Sequence, residues 1–210
     1  MGVNYLLDLV LPRRCFGCGA NGSELCDGCL DALPLAQEIE IGIWSLYFYH
    51  TPMIKKAIWQ LKYRGATMIG ERLGQELYRQ FGPHLNLAPD ETALVIPIPL
   101  SAKRCRERGF NQAAVIARAW AAMDSRQLHF DDKILAKIKE TATQVSIKSR
   151  AARLKNLKNA FAVREPQKIA GRKIILVDDV TTTGGTINEA KRILKHAGAK
   201  AVVAVTIAHG

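Results

Sequence analysis

The chain has 210 residues, 48% of them hydrophobic and 23% charged, with a formal net charge of +11. That length can bury a real core as one domain with a small appendage, and the composition argues against intrinsic disorder. No run approaches the ~20 apolar residues that a membrane helix needs, so membrane insertion is not expected.

Charge is divided unevenly. Residues 1–50 hold two basic groups against six acidic ones, a balance of −4, whereas the remaining 160 residues hold 28 against 13, a balance of +15. A cationic body of this kind attracts phosphorylated ligands, nucleic acid or both. Residues 5–11 are apolar but short, carry Asp8 and lack a basic flank, so they make a poor signal peptide. Leu6 stands where myristoylation requires Ser or Thr. A cytoplasmic location is expected. Five cysteines, an odd number, favour a metal site over a disulfide framework in a reducing compartment.

In chain order, residues 1–35 are dense in Cys, Gly and Asp and form the expected appendage, with residues 36–210 as the main domain. Residues 39–49 (IEIGIWSLYFY) alternate and read as a strand or hairpin arm. Thr51-Pro52 then marks a helix start, with Thr51 as N-cap and Ile54, Ala57, Ile58 and Leu61 on one face. A second helix is predicted over 67–81, striped by Ile69, Leu73, Leu77 and Phe81. Residues 93–98 (ALVIPI) suit a buried strand. A basic loop follows, then a helix from about Asn111. A short strand near 134–138 precedes a polar, basic stretch at 139–160. Strand 173–178, helix 185–197 and strand 201–207 close the chain. Strand–helix–strand alternation predicts an α/β domain with a parallel sheet. Trp44, Trp59 and Trp120 read as core or packing residues.

Two constellations carry chemistry. Cys15-x2-Cys18-x7-Cys26-x2-Cys29 can supply four thiolates to one tetrahedral ion, zinc by softness, with iron chemically possible. The G-x-G-x-x-G pattern at Gly17, Gly19 and Gly22 lies inside this cluster, after no strand and before no helix, and is not a dinucleotide fingerprint. The second constellation is IILVDDVTTTGGT, residues 174–186. Here an apolar strand ends in Asp178 and Asp179, and a loop of hydroxyls and glycines leads into a helix. Such a loop offers N–H groups and hydroxyls to a phosphate at the positive end of the helix dipole. The carboxylate pair can accept from a ribose diol or sit near a divalent cation.

The run Asp178-Asp179-Val180-Thr181-Thr182-Thr183-Gly184-Gly185-Thr186 resembles the phosphoribosyl-pyrophosphate signature of type I phosphoribosyltransferases. Leu61-Lys62-Tyr63-Arg64-Gly65, Pro97-Ile98-Pro99-Leu100-Ser101 and Arg108-Gly109-Phe110-Asn111-Gln112 narrow the likeness to ComF/GntX-like proteins. Thr143-Gln144, Asn156 and Ala160-Phe161 echo the same pattern, which departs at Ala142.

The resemblance implies a phosphoribosyltransferase-like fold with a zinc knuckle, binding phosphoribosyl pyrophosphate together with Mg2+. By it, residues 181–186 hold the 5-phosphate and Asp178 and Asp179 the ribose hydroxyls. Ser101, Lys103, Arg104 and Arg108 lie where pyrophosphate is expected, with Lys62 as a further anion contact. No residue identifies itself as catalytic or marks an acceptor pocket. Two functions follow: phosphoribosyl transfer to an unnamed acceptor, or a non-catalytic ligand sensor that binds single-stranded DNA in natural transformation, beside DNA-uptake components. Residues 137–158, with seven basic groups and one acid, are expected to be a hood over the ligand, a DNA contact or a solvated helix face. No row of aromatic side chains suited to base stacking is evident near the basic loops.

Overall fold

The computed structural model describes residues 13–139 and 157–210. In chain order these form α1 (Asp27–Asp31), β1 (Gln37–Glu40), β2 (Ile43–Phe48), α2 (Pro52–Arg64) and α3 (Thr67–Phe81). Next come β3 (Ala93–Pro97), α4 (Ala102–Arg108), α5 (Gln112–Ala122), β4 (Leu128–Phe130) and β5 (Leu135–Lys137). The last elements are β6 (Phe161–Val163), β7 (Lys173–Thr181), α6 (Gly185–His196) and β8 (Ala201–His209).

Six strands form one sheet in the order β1-β2-β8-β7-β3-β4. Every pairing is parallel except the β1–β2 hairpin, which adds an antiparallel edge. The apolar run of β7 explains its central place, because alternate residues must be buried on both faces. Ile175 and Val177 join a core with α2, α3 and α5, through Ile54, Ile58, Leu61, Leu73, Leu77, Ile116 and Trp120. Ile174 and Leu176 face the other way, onto Ile187, Ala190 and Leu194 of α6. The sheet is therefore sandwiched between helical layers, as strand–helix alternation predicts.

The N-terminal appendage shares the first of these cores. Cys15, Leu25 and Leu30 are buried in it with Leu46, Tyr47 and Met53. Charge reinforces the join. Arg72 and Arg79 of α3 reach Asp27 and Asp31 of α1, and both also pair with the buried Glu76. Tyr47 adds an O–H donated to the Leu30 carbonyl at 3.5 Å.

Some expectations change. The basic segment after β3 is the helix α4, not a loop. It buries no side chain, so it has no apolar stripe by which periodicity could find it. The short strand at β5 does not join the main sheet; it pairs antiparallel with β6 as a separate two-stranded sheet. Trp120 is fully buried and Trp44 stacks on Phe81, but Trp59 is 45% exposed and is not a core residue. Residues 140–156 of the basic stretch, with Ala142, Thr143, Gln144 and Asn156, lie outside the described residues.

Candidate functional site

The four cysteines converge. Backbone bonds from Cys15 N–H to Ala20 O (2.9 Å) and from Gly19 N–H to Cys15 O (2.9 Å) close the first turn, and Cys26 precedes α1, which carries Cys29. The sulfur atoms of Cys15, Cys18, Cys26 and Cys29 all lie within 4.8 Å of one another. The Cys18–Cys26 separation of 3.7 Å matches the ~3.8 Å edge of a tetrahedron with ~2.3 Å metal–sulfur bonds. Gly17 belongs to this packing, since a Cβ there would lie 2.8 Å from the Cys29 sulfur. Although burial opposes its ionisation, N–H groups of Cys26, Cys18 and Gly17 bring the Cys15 thiol down to about 6. Contact with the Cys26, Cys18 and Cys15 thiols pushes Cys29 up to about 12. Four such thiols ionise together only around a cation, so this donor set fits a metal ion and leaves no open position on a four-coordinate one.

The second site grows from the end of β7. Its pairing with β3 ends at Pro97↔Val177, while pairing with β8 continues to Thr181↔His209. Residues 178–181 thus project past β3, with no strand paired on that edge among the described residues. Strand alternation sends the two carboxylates to opposite faces. Asp179, 8% exposed, turns to the α2 face and pairs with Lys62 Nζ at 3.0 Å. Half-buried Asp178 accepts the Asp179 N–H at 2.8 Å. Desolvation pushes Asp178 up to about 7, aided by the neighbouring Asp179 charge and opposed by its backbone bond, Lys62 and Lys137.

Beyond Thr181, which is buried, Thr182 and Thr183 are exposed and Gly184 caps α6 with φ +67°. That left-handed turn favours glycine, and the first N–H groups of α6 have no acceptor within the helix. The first turn of α6 has no acidic side chain of its own. One arrives from elsewhere: Glu40 of β1 accepts from Asn188 Nδ2 at 3.1 and 3.2 Å. A Cβ at Gly184 would lie 2.8 Å from the Glu40 carboxylate. Sequence reasoning missed Glu40, for it is 148 residues from Asn188 and no motif marks it.

The four residues expected at pyrophosphate divide into three settings. Ser101 is buried and caps α4, accepting from Arg104 N–H at 3.4 Å. Arg104 and Arg108 line a pocket of about 310 Å3 with Lys62, Tyr63, Gly65 and Glu107. Lys103 is exposed on α4, 4.0 Å from Glu107, and is not among the residues lining that pocket. Arg108 also donates to Gln112 Oε1 at 2.8 Å, and its guanidinium lies 5.6 Å over the Tyr63 ring. Lys62 thereby joins the basic pocket to the aspartate pair. Its neighbour Tyr63 had no assigned role, although it stands inside the Leu61-Lys62-Tyr63-Arg64-Gly65 run.

Residues 121–210 match the phosphoribosyl transferase domain family. The chain is 33% identical over 203 residues to the DNA utilization protein YhgH of Escherichia coli K12, covering 93% of this chain and 82% of the relative. It is 30% identical over 197 residues to competence protein F of Haemophilus influenzae, covering 88% of this chain and 81% of the relative. Among solved structures it is similar to a glutamine phosphoribosylpyrophosphate amidotransferase from B. subtilis, at 18% identity and a TM-score of 0.41. That match covers 65% of this chain and 25% of the other. Among the described residues, no helix is long and apolar enough to cross a membrane.

Proposed function

Because the chain belongs to the ComF/YhgH competence-related family and carries a phosphoribosyltransferase domain, we propose that it is a cytoplasmic protein that binds phosphoribosyl pyrophosphate with Mg2+ at the open end of β7 and transfers the phosphoribosyl group. The observation that carries this reading is the Asp178–Asp179 pair set directly before a hydroxyl- and glycine-rich turn into α6.

Residues 181–186 receive the 5-phosphate through backbone N–H groups and Thr hydroxyls at the positive end of the helix dipole. Asp178 and Asp179 accept from the ribose hydroxyls. Arg104 and Arg108, with Ser101 and Lys103 nearby, receive pyrophosphate; guanidinium forks suit its oxygens. When bound with the ligand, Mg2+ supplies neutralisation of the diphosphate charge. In transfer, the bond from ribose C1 to the pyrophosphate oxygen breaks and its electron pair leaves with pyrophosphate. The acceptor nucleophile bonds to C1 and its proton passes to solvent or pyrophosphate. The chain's contribution is positioning and electrostatic stabilisation of the departing charge. The cysteine cluster holds structural zinc and takes no part in the chemistry.

The test is calorimetric titration of phosphoribosyl pyrophosphate with Mg2+ into the wild-type protein and the Asp178→Asn/Asp179→Asn variant. The wild type should bind, and the folded variant should lose ~1–3 kcal/mol for each charged hydrogen bond removed. Equal affinity in both would refute the site. Acceptor-dependent release of pyrophosphate, assayed across a metabolite extract, separates a transferase from a sensor that binds without turnover.

A further inference from the structure

An interior strand of a parallel sheet needs cover on both faces. Strand β8 lies between β2 and β7, and its amino end lacks that cover among the described residues. On the α6 face, Val202 and Ala204 are buried in the core with Leu194; on the other, Val205 and Ile207 are buried with Leu73 and Leu77. Ala201 and Val203 are only half-buried. They line a cleft of about 200 Å3 with Trp44, Leu85, Leu87 and Ile175. Asp178 and Asp179 stand at the opposite end of β7.

The wall of this cleft is tied in place. Lys173 Nζ donates to the Asn86 carbonyl at 3.2 Å, and Gln127 Nε2 donates to the Ala88 carbonyl at 2.7 Å. Asn86 itself takes a left-handed turn, φ +46°, which asparagine tolerates, and both its neighbours, Leu85 and Leu87, line the cleft. His84 and Lys173 are the only ionisable residues on the lining, and Lys173 is already paired with Glu91 at 2.8 Å. A carboxylate ligand would have to compete with Glu91. A polypeptide would bury N–H and C=O groups against walls that offer them no partners, and a nucleobase would strand its polar edges in the same way. A planar ring with few polar atoms meets no such penalty and covers the half-buried side chains. An apolar cavity of ~150 Å3 accommodates benzene, so a cleft of about 200 Å3 suits one or two fused rings.

We propose that this cleft is a binding site for a neutral one- or two-ring heteroaromatic molecule of the indole or quinoline class. Trp44, Leu85, Leu87 and Val203 provide its apolar contacts, and His84 is the partner of its single ring nitrogen. The site shares no residue with the aspartate pair, the hydroxyl turn or the basic pocket, so it does not rest on the phosphoribosyl reading.

The experiment is calorimetric titration of the full chain with indole and with quinoline, using adenine and benzoate as comparators. Both probes should bind one to one with a negative heat-capacity change, the mark of apolar burial. Adenine and benzoate should bind about tenfold more weakly or not at all. Val203→Phe fills the cleft with an apolar ring and should remove about tenfold or more of the probe affinity, while keeping or raising the melting temperature. Leu87→Arg puts a charge on the loop wall, outside the sheet, and should weaken the probes to the same degree; it decides the matter if Val203→Phe does not fold. His84→Ala should weaken both probes several-fold. No heat from indole or quinoline up to their solubility limits, equal affinity in wild type and Leu87→Arg, or adenine or benzoate bound as tightly as indole overturns the proposal. So does a sedimenting mass that doubles with concentration in the wild type but not in Leu87→Arg, which would assign the cleft to a second copy of the chain.

Discussion

Asp178 and Asp179 are adjacent in sequence yet differ in what they meet: Asp179 has Lys62, while Asp178 has a desolvated setting and a like charge beside it. An ordinary Asp titrates near 3.8, and Asp178 is pushed up to about 7. Between those values the folded state holds a proton that the unfolded chain has released. Stability from this group is therefore fully present below the unfolded value and declines as pH rises toward 7. Urea unfolding at pH 5 and pH 8 should show that decline, and Asp178→Asn should reduce it. Phosphoribosyl pyrophosphate with Mg2+ favours the carboxylate, so binding should release protons near neutrality; calorimetry in buffers of different ionisation enthalpy measures that release. At this scale the sequence was informative about chemistry and poor about partners. The acidic pair and hydroxyl loop were visible because neighbouring residues compose them. Glu40 and the Lys62–Asp179 pair were not resolved, because chain-distant contacts leave no local pattern.

Among the elements, apolar stripes made α2, α3 and α5 legible: the residues assigned to the α2 face, Ile54, Ala57, Ile58 and Leu61, are all buried. Charged α4 and three-residue β4 and β6 carry too little periodicity to be found. The cysteine knuckle was legible from spacing, but its embedding was not. Cys15, Leu25 and Leu30 share the core of the main domain, so loss of metal should loosen more than the first turn. Replacing Cys26 and Cys29 with Ser should abolish stoichiometric zinc, read by elemental analysis, and lower the melting temperature of the whole chain, because metal binding free energy is folding free energy for the segment it orders. Full zinc occupancy in that double variant would refute the four-thiolate assignment.

Across the whole molecule, charge and topology divide the labour. The −4 N-terminal quarter meets α3 through Asp27 and Asp31, while the remainder of the chain carries a balance of +15. The same N-terminal quarter contributes Glu40, whose carboxylate touches the turn assigned to the 5-phosphate. A dianion arriving there meets a resident negative charge at close range, and the two repel. On the reading proposed above, filling the cradle should push Glu40 off Asn188 and slacken the β1 hairpin. Amide exchange at residues 38–42 should accelerate when ribose 5-phosphate is added, and Glu40→Gln should bind that ligand several-fold more tightly with a smaller change in exchange. Such a hairpin would broadcast occupancy to whatever docks along the sheet edge, with no movement of the core beneath it.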